Sequence, residues 1–392
     1  MAALFHLGAL MRVLLSSTRG QGHIRPLLPF AKGLQARGHE VRLASPEDAR
    51  PVAEKAGLEL MPFARLSDEE IKEQWVGRQG LKGEELMSFA IGEMFAGRTS
   101  ERAMPMLEES ILTWEPDLIL RESLEFASFV MAEKHGIPHA RVAVHNNAVE
   151  GEIVGHAEDA MDRHLGAQGK GAQNGSGLWS EPIYTSFPAG FDGDCKHAPE
   201  NPPFRVNLNS GQQAVESDWR RKSEKPLVYI TFGTVVGEAS FVFDEVFDMA
   251  LEAADALDAE VLMTTGPKVS AERFVRVPAN VEVRSFVPQS SVLKHASAIM
   301  HHGGSGTLSG AFEFGVPMVV VPLFADQPWN ADRVEAAGLG VAVRERTAEN
   351  MAQALQAILD DQGAAARAKA VADEMAGLPS IEVALDRIEA LA

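Results

Sequence analysis

A glycine-rich run in the second half of the chain carries residue types that bind anions. The apolar stretch SAIMH leads into His302-Gly303-Gly304-Ser305-Gly306-Thr307, which predicts a sharp turn between a strand and a helix. The first N–H groups of a helix have no partner within it, so they attract negative charge, and the hydroxyls and imidazole of the run add donors. The run therefore predicts a diphosphate site without a Walker lysine. The alternative is a tight strand–helix connection without a ligand.

A carboxylate and an amide stand side by side after the next predicted strand, at Asp326 and Gln327. This pair suits bidentate recognition of vicinal hydroxyls, such as those of a sugar. The alternative is a turn, LFADQPW, in which Asp326 caps the following helix.

No catalytic metal site is predicted. His301 and His302 are neighbours on a strand and point to opposite faces, so they do not suit one ion. The stretch FDGDCK offers a pair of aspartates, Asp192 and Asp194, but it lies in a Pro/Gly-rich region and is interpreted as a solvated turn.

The first turn of the chain, STRGQGHIRP, contains His23 between a strand and a helix. It does not match a dinucleotide-binding fingerprint, because Arg25 stands where the third glycine should be, so an NAD-dependent oxidoreductase is disfavoured. A histidine at a helix start is often a cap or a surface residue. Here Gly20 and Gly22 leave space around it.

Alternating strands and helices must position these residues. A strand at Met11–Ser16, a helix and a second strand form a βαβ unit, and PDLILRES and IPHARVAV predict further strands. From Gly151 to Pro203 the pattern gives way to Gly, Asn, Ser and Pro, which predicts a connector. A second series has strands at Leu227–Phe232, Glu260–Thr264, Val281–Ser285, Ala298–His302 and Met318–Pro322. The sequence thus predicts an α/β protein with two Rossmann-like domains facing each other across a cleft, with ligands at the strands' carboxyl ends.

Length and composition limit the class of protein. The 392 residues fit two domains, and the net charge of −19 disfavours nucleic acid or an anionic membrane as partner. The single cysteine, Cys195, fits a reducing cytoplasm. Residues 1–10 are interpreted as a disordered extension or an upstream start, and no apolar stretch is long enough to span a membrane, so a soluble cytoplasmic protein is expected.

Several segments, taken in order, resemble the GT-B glycosyltransferases of family 1, in particular the bacterial antibiotic and macrolide branch. They are SSTRGQGHIRPLLPFAKGLQARGHEV, YITFGT and the stretch from SFVPQ to EAAGLG. The resemblance covers the chain from Met11 and implies an inverting, metal-independent hexosyltransferase without a cofactor, which moves a sugar from a nucleotide-sugar to a hydroxyl of a lipophilic natural product. It also implies an acceptor domain at 11–205, a linker at 206–224, a nucleotide-sugar domain at 225–375 and a final helix at 376–392 that packs back on the first domain.

The donor site is carried over position by position from the resemblance. Phe286 and Val287 would flank the nucleobase, Gln289 would lie near the sugar of the nucleoside, and Asp326 and Gln327 would bind the transferred sugar. The residues expected around the phosphates are Gly233, Thr234, His302, Gly304, Ser305, Gly306 and Thr307. Plant relatives that use UDP-sugars carry a glutamate for the ribose diol where this chain has Gly310, which favours a TDP-sugar over a UDP-sugar.

The resemblance also implies that His23 faces the cleft and removes the proton of the acceptor, a task that suits the pKa of imidazole. The family places the supporting acid after the strand PDLIL, so Glu122 is the candidate and Asp117 the weaker one. Many relatives use Asp, and a surface pair between Arg121 and Glu122 is the alternative.

Three points stay open in the sequence. The stripe Met87, Ile91, Met94 and Phe95, with Trp75 and Phe89 nearby, fits an acceptor pocket or an ordinary core, so no acceptor residue is named. An epimerase or hydrolase, or a non-catalytic helper protein, would have the same fold, although a helper would be expected to lose His23 or the Asp326–Gln327 pair. A homodimer is neither predicted nor excluded.

Overall fold

A computed structural model describes residues 10–78, 80–170, 176–192, 203–208, 217–233, 240–266 and 269–392. The chain divides into two compact units. The first comprises Met1–Ser186, Asp194–Ser210 and Pro379–Ala392, and the second comprises Phe187–Gly193 and Gly211–Leu378. In the described part of the chain, no helix combines the length and apolar character that crossing a bilayer requires.

The first unit is built on a seven-stranded parallel sheet of order β3-β2-β1-β4-β5-β6-β7. Its strands are β1 Arg12–Ser16, β2 Glu40–Ser45, β3 Glu59–Pro62, β4 Leu118–Glu122, β5 His139–Val142, β6 Ile183–Thr185 and β7 Phe204–Arg205. Every residue of β4 is buried, as expected for a strand covered on both faces. The strand order reverses between β1 and β4, and open α/β sheets bind ligands at the carboxyl ends of such a pair.

Helices cover this sheet. They are Gln21–Ile24, Leu28–Ala36, Arg50–Lys55, Asp68–Trp75, Gly83–Met87, Ser100–Trp114, Ala127–His135, Asn147–Ala167, Ser176–Ser180 and Ile381–Glu389, with a π-helix at Ser88–Thr99 and 3₁₀ turns at Arg25–Leu27 and Glu47–Ala49. The connector prediction is wrong for Asn147–Ala167. Asn146 caps this helix by accepting N–H groups of Ala148 and Val149, and its buried residues follow a helical period that the interspersed glycines obscure.

The last helix, Ile381–Glu389, packs on Leu28–Ala36. A Cβ atom on Gly33 would lie 2.4 Å from Cδ1 of Leu385, so only glycine allows this approach without a shift. Arg37 forms ion pairs with Glu382 and Asp386 of the same helix. The carboxyl terminus is thereby part of the first unit.

The second unit contains a six-stranded parallel sheet of order β10-β9-β8-β11-β12-β13. Its strands are β8 Leu227–Thr231, β9 Glu260–Thr264, β10 Val281–Arg284, β11 Ala298–His301, β12 Met318–Val320 and β13 Gly340–Ala342. Its helices are Ala189–Asp192, Ser240–Asp255, Gln289–Leu293, Ser305–Phe314, Gln327–Ala336, Ala348–Asp360 and Gln362–Ala376, with a 3₁₀ turn at Ala271–Arg273. Alternate residues of β8 enter the cores on opposite faces of the sheet, Val228 and Ile230 on one side and Tyr229 on the other.

The predicted fold class is confirmed, since both units are parallel α/β sheets covered by helices. The strands predicted in the second series are all present within a residue or two of their predicted ends. β13 was not predicted, because its three residues contain a glycine and too short an apolar pattern to stand out.

Candidate active site

A histidine and a glutamate meet at the carboxyl ends of β1 and β4. These strands are neighbours, with Ser16 in register with Arg121, so the residues that follow β1 lie beside the end of β4. After β1 the chain turns at Gly20, whose φ of 112° favours glycine, into the short helix that carries His23. Nδ1 of His23 lies 2.9 Å from Oε2 of Glu122.

The carboxylate of Glu122 is fully buried and held on both oxygens. Oε1 accepts the backbone N–H of Thr18 at 3.0 Å and its hydroxyl at 2.7 Å, and Oε2 accepts the N–H of Leu124 at 2.9 Å. Burial alone raises the pKa of Glu122, but the charge and hydrogen bond of His23, with the N–H of Leu124 and the hydroxyl of Thr18, lower the pKa to about 2. Glu122 is therefore an anion at neutral pH.

This geometry suits a general base. Because Nδ1 of His23 faces an anionic carboxylate, it carries the proton in the neutral ring, and Nε2 is left as the proton acceptor. The carboxylate also stabilises the imidazolium that forms when Nε2 takes a proton. The side chain of His23 is 26% exposed, which leaves it accessible to an acceptor.

The two alternatives to this pair are excluded by position. Arg121 is fully buried, not on the surface, and donates through Nε to Oε1 of Glu181 at 2.8 Å. Asp117 precedes β4 and accepts the N–H of Arg12 at the start of β1, at the opposite end of both strands from His23.

A cavity of about 270 Å³ lies beside His23 within the first unit. Its lining is mostly apolar, and it is formed by Thr18, Arg19, His23, Pro46, Phe63, Arg65, Leu66, Ile71, Trp75, Ala90, Met94, Phe95, Thr99, Ser100, Ala103, Leu124, Glu125 and Phe126. Some residues of the predicted apolar stripe line the cavity, and others belong to the buried core. Trp75, Met94 and Phe95 line the cavity, whereas Met87 and Ile91 are buried away from it.

A network of charged groups that includes Arg121, the neighbour of Glu122 in β4, connects β4, β5 and Glu181, which lies two residues before β6. Glu181 contacts Arg121 and also Nδ1 of His139 at 2.9 Å, and Nε2 of His139 lies 3.0 Å from Glu133. Burial raises the pKa of Glu181, but the charge of Arg121 and the hydrogen bond and charge of His139 lower it to about 2. Burial lowers the pKa of His139, but hydrogen bonds to Glu133 and Glu181 raise it to about 9.

This network predicts a loss of stability at alkaline pH. The pKa of His139 is higher in the folded protein, about 9 against 6.5, so its contribution is complete below pH 6.5 and is lost as pH rises through 9. We expect the free energy of unfolding to fall by about 2–3 kcal/mol over this range. Urea unfolding of wild type and His139→Gln between pH 6 and 9.5 measures it. In His139→Gln the free energy of unfolding should no longer fall with pH in this way, whereas His135→Gln, the control, should behave as wild type does. An equal fall in wild type and His139→Gln would contradict the role given to His139.

In the second unit, β11 ends at His301 and a glycine turn leads into the helix Ser305–Phe314. The ring of His302 lies between two glycines: a Cβ atom would come within 2.8 Å of it from Gly233 and within 2.4 Å from Gly304. Gly303 has a φ of 92°, and its Cβ atom would lie 3.2 Å from the backbone oxygen of Gln327. Here the glycines make room for the imidazole and for the backbone at Gln327, where the next helix begins.

His302 is neutral and able to donate. Burial lowers its pKa to about 4, and the charge of Asp326 opposes this only in part. Nδ1 of the ring is buried and has no hydrogen-bond partner among the described residues. Buried polar groups are normally paired, so a nitrogen of this kind is suited to a ligand oxygen.

Asp326 and Gln327 lie at this turn. Oδ2 of Asp326 accepts the hydroxyl of Ser305 at 3.1 Å and the amide of Asn330 at 2.8 Å, and Asn330 also donates to the carbonyl of Gly303. Oε1 of Gln327 accepts the N–H groups of Leu323 and Phe324. Both side chains are thus fixed by the protein.

Of the other residues predicted to bind the nucleotide-sugar, some lie at the glycine turn, one is exposed and one is buried. Nε2 of Gln289 lies 3.4 Å from Oγ1 of Thr307, which joins these two to the turn. Gly306 has open space where a Cβ atom would be. Phe286 is 66% exposed, whereas the side chain of Val287 is buried in the core, which leaves only its backbone for a ligand. Thr234 lies outside the described residues.

Relatives of known activity share this chain's length. The N-terminal and C-terminal domain models of the erythromycin biosynthesis protein CIII-like family match residues 32–171 and 248–391. L-demethylnoviosyl transferase of Streptomyces niveus is 28% identical over 97% of this chain and 98% of its own. Erythronolide mycarosyltransferase of Saccharopolyspora erythraea is 26% identical over 97% and 99%. The chain belongs to this family of natural-product glycosyltransferases.

The fold of this glycosyltransferase is GT-B, as the resemblance implies. The spinosyn rhamnosyltransferase SpnG superposes with a TM-score of 0.82 at 23% identity, covering 97% of this chain and 100% of SpnG. SnogD from Streptomyces nogalater has a TM-score of 0.75 at 26% identity, covering 98% and 100%.

Several residues of the glycosyltransferase were missed or misjudged in the sequence. Thr18 holds Glu122, and only the folded chain brings these two residues together, whereas Asn330 lies one helical turn after Asp326 and holds it locally. Thr18 has a local signal, because it lies in the same turn as His23. The interpretation of a solvated turn is wrong for Asp192, which is buried at the end of the helix Ala189–Asp192, and Asp194 lies outside the described residues.

Proposed function

We propose that this glycosyltransferase moves a sugar from a TDP-sugar to a hydroxyl group of a lipophilic small molecule, with inversion and without a metal ion in the chemical step. The observation that carries the proposal is the contact between His23 and Glu122. It leaves Nε2 of His23 as a proton acceptor, and His23 lines the apolar cavity.

The reaction is a single displacement. Nε2 of His23 takes the proton of the acceptor hydroxyl, and the acceptor oxygen forms a bond to the anomeric carbon of the sugar. The bond from that carbon to the diphosphate breaks, and its electron pair goes to the departing phosphate oxygen. One displacement inverts the carbon once, so an α-linked donor gives a β-glycoside.

The glycine turn of the second unit supports departure of the diphosphate. The N-terminal N–H groups of the helix Ser305–Phe314 and the neutral ring of His302 can donate to phosphate oxygens as negative charge develops. A site made of such donors needs no divalent cation to hold the diphosphate.

Two observations favour thymidine over uridine in the donor. Gly310 has no side chain for a ribose 2′-hydroxyl, and a Cβ atom there would face Cδ1 of Leu293 at 3.1 Å and the side-chain oxygen Oε1 of Gln289 at 3.5 Å. Two proteins of the same fold, VinC and SpnG, have structures with thymidine diphosphate. For the acceptor, SpnG also has a structure with its spinosyn aglycone.

The test is an incubation of the protein with matched TDP- and UDP-sugars, with and without lipophilic hydroxylated aglycones, followed by mass spectrometry. We expect the aglycone to gain the mass of one sugar, faster with the TDP-sugar, and the donor to survive when no aglycone is present. Proton NMR of the product should show inversion. Donor turnover without an aglycone would favour an epimerase or hydrolase, and an unchanged donor and aglycone throughout the panel would favour a helper protein.

A further inference from the structure

One group of metal-ligand side chains lies outside the site described above, among the residues that the structure describes. It consists of Glu84, Glu152 and His156, and one ligand atom from each lies within 4.8 Å of the other two. Glu152 and His156 are one turn apart on the helix Asn147–Ala167, so they share a face. Glu84 comes from the short helix Gly83–Met87.

His156 points to a ligand independently of the carboxylates. Its side chain is only 9% exposed, and Nε2 is buried without a hydrogen-bond partner among the described residues. Oε1 of Glu84 is 3.7 Å from this nitrogen, too far for a hydrogen bond. Leaving a buried nitrogen unpaired is costly, and a cation between the two atoms would satisfy both.

The backbone around His156 is fixed by close packing. A Cβ atom on Gly92, in the helix Ser88–Thr99, would lie 2.7 Å from the carbonyl oxygen of His156, so these helices touch through their backbones. Nε2 of His164 makes a second link of 2.9 Å to the carbonyl oxygen of Ala96. The two ligands on the long helix are therefore preorganised, and only Glu84, which is exposed, has to adjust.

We propose that Glu84, Glu152 and His156 bind one divalent transition-metal ion of the Zn²⁺ class. One imidazole and two carboxylates form a donor set used by zinc, with water completing a tetrahedron whose ligand atoms are roughly 3.4 Å apart. Mg²⁺ and Ca²⁺ prefer sites made of oxygen alone, so the imidazole disfavours them. The ion ties the helix Gly83–Met87 to Asn147–Ala167, and between them runs Ser88–Thr99, which contributes Met94 and Phe95 to the cavity.

The role of this ion is structural and is separate from sugar transfer. None of its three ligands lines the cavity that contains His23. Zn²⁺ that binds only the folded protein raises its unfolding temperature, by roughly 5 °C at a hundredfold excess over the dissociation constant.

The test uses the full-length protein after EDTA treatment and desalting. Calorimetric titration with ZnCl₂ should give one site of micromolar or tighter affinity, and Co²⁺ should produce the visible absorption of a tetrahedral site. His156→Gln and Glu152→Gln should each weaken binding at least tenfold and abolish the Co²⁺ absorption.

The matched control is His135→Gln. His135 also contacts a carboxylate, Glu108, but Lys134 shares that carboxylate, so no cation is expected there. This variant should bind Zn²⁺ as wild type does. Equal Zn²⁺ binding by wild type and Glu152→Gln would overturn the proposal, as would absence of any stoichiometric site. If the wild-type protein binds Zn²⁺ as expected but transfers no sugar, the result counts against the proposed function and leaves the metal site standing.

Discussion

Replacing His23 by alanine is expected to lower kcat roughly 10³-fold and to leave the affinity for thymidine diphosphate unchanged. Without the imidazole, the acceptor hydroxyl has to lose its proton to water while the anomeric carbon is attacked. Glu122 cannot substitute, because it is fully buried and its oxygens are held by Thr18 and Leu124. Steady-state rates at saturating donor and acceptor measure the loss.

Two further variants test whether the loss of rate is due to His23 itself. His135→Ala changes a partly exposed histidine of the same unit, at the end of the helix Ala127–His135, and should keep the wild-type rate. Glu122→Gln should keep the ring of His23 in place but remove the charge that stabilises its protonated form, with a loss of roughly 10²-fold or more. A rate near wild type for His23→Ala would mean that another group is the base.

Replacing Gly304 by alanine is expected to weaken thymidine diphosphate binding by roughly 10- to 100-fold, the cost of losing one or two hydrogen bonds to a charged group. The new methyl group would lie 2.4 Å from Nε2 of His302, so the ring has to move. Gly233 confines the same ring from another side, where a Cβ atom would be 2.8 Å away. The displaced ring can then no longer donate from its present position.

Calorimetric titration of the variants with thymidine diphosphate measures this effect. Gly166→Ala is the control, because a Cβ atom there meets nothing within 4 Å and the residue lies in a helix of the other unit. Circular dichroism should show the same fold for both variants. Wild-type affinity in Gly304→Ala would remove His302 and its turn from the donor site.

The sequence predicted the elements that position the site because buried parallel strands leave a continuous apolar pattern. β1 and β4 are of this kind, and the resemblance to the GT-B glycosyltransferases then assigned roles to His23, in the turn after β1, and to Glu122, at the end of β4. Neighbouring parallel strands bring their carboxyl ends to the same edge of the sheet, which explains why these two residues meet.

Other features depend on packing that a linear pattern does not contain. For Arg121, a surface pair with Glu122 was the alternative interpretation, but the residue is buried in the core and pairs with Glu181, from a distant part of the chain. The helix Asn147–Ala167 was mistaken for a connector because its interspersed glycines weaken the helical signal. Val287 was assigned to the nucleobase, yet its side chain faces inward.

The central claim is that backbone N–H groups and a neutral histidine of the second unit hold a diphosphate without a metal ion. The most direct measurement is a calorimetric titration of EDTA-treated wild-type protein with thymidine diphosphate, repeated after addition of Mg²⁺ or Mn²⁺. The account predicts one binding site whose affinity is the same in both titrations. Absence of binding until a divalent ion is restored would contradict it.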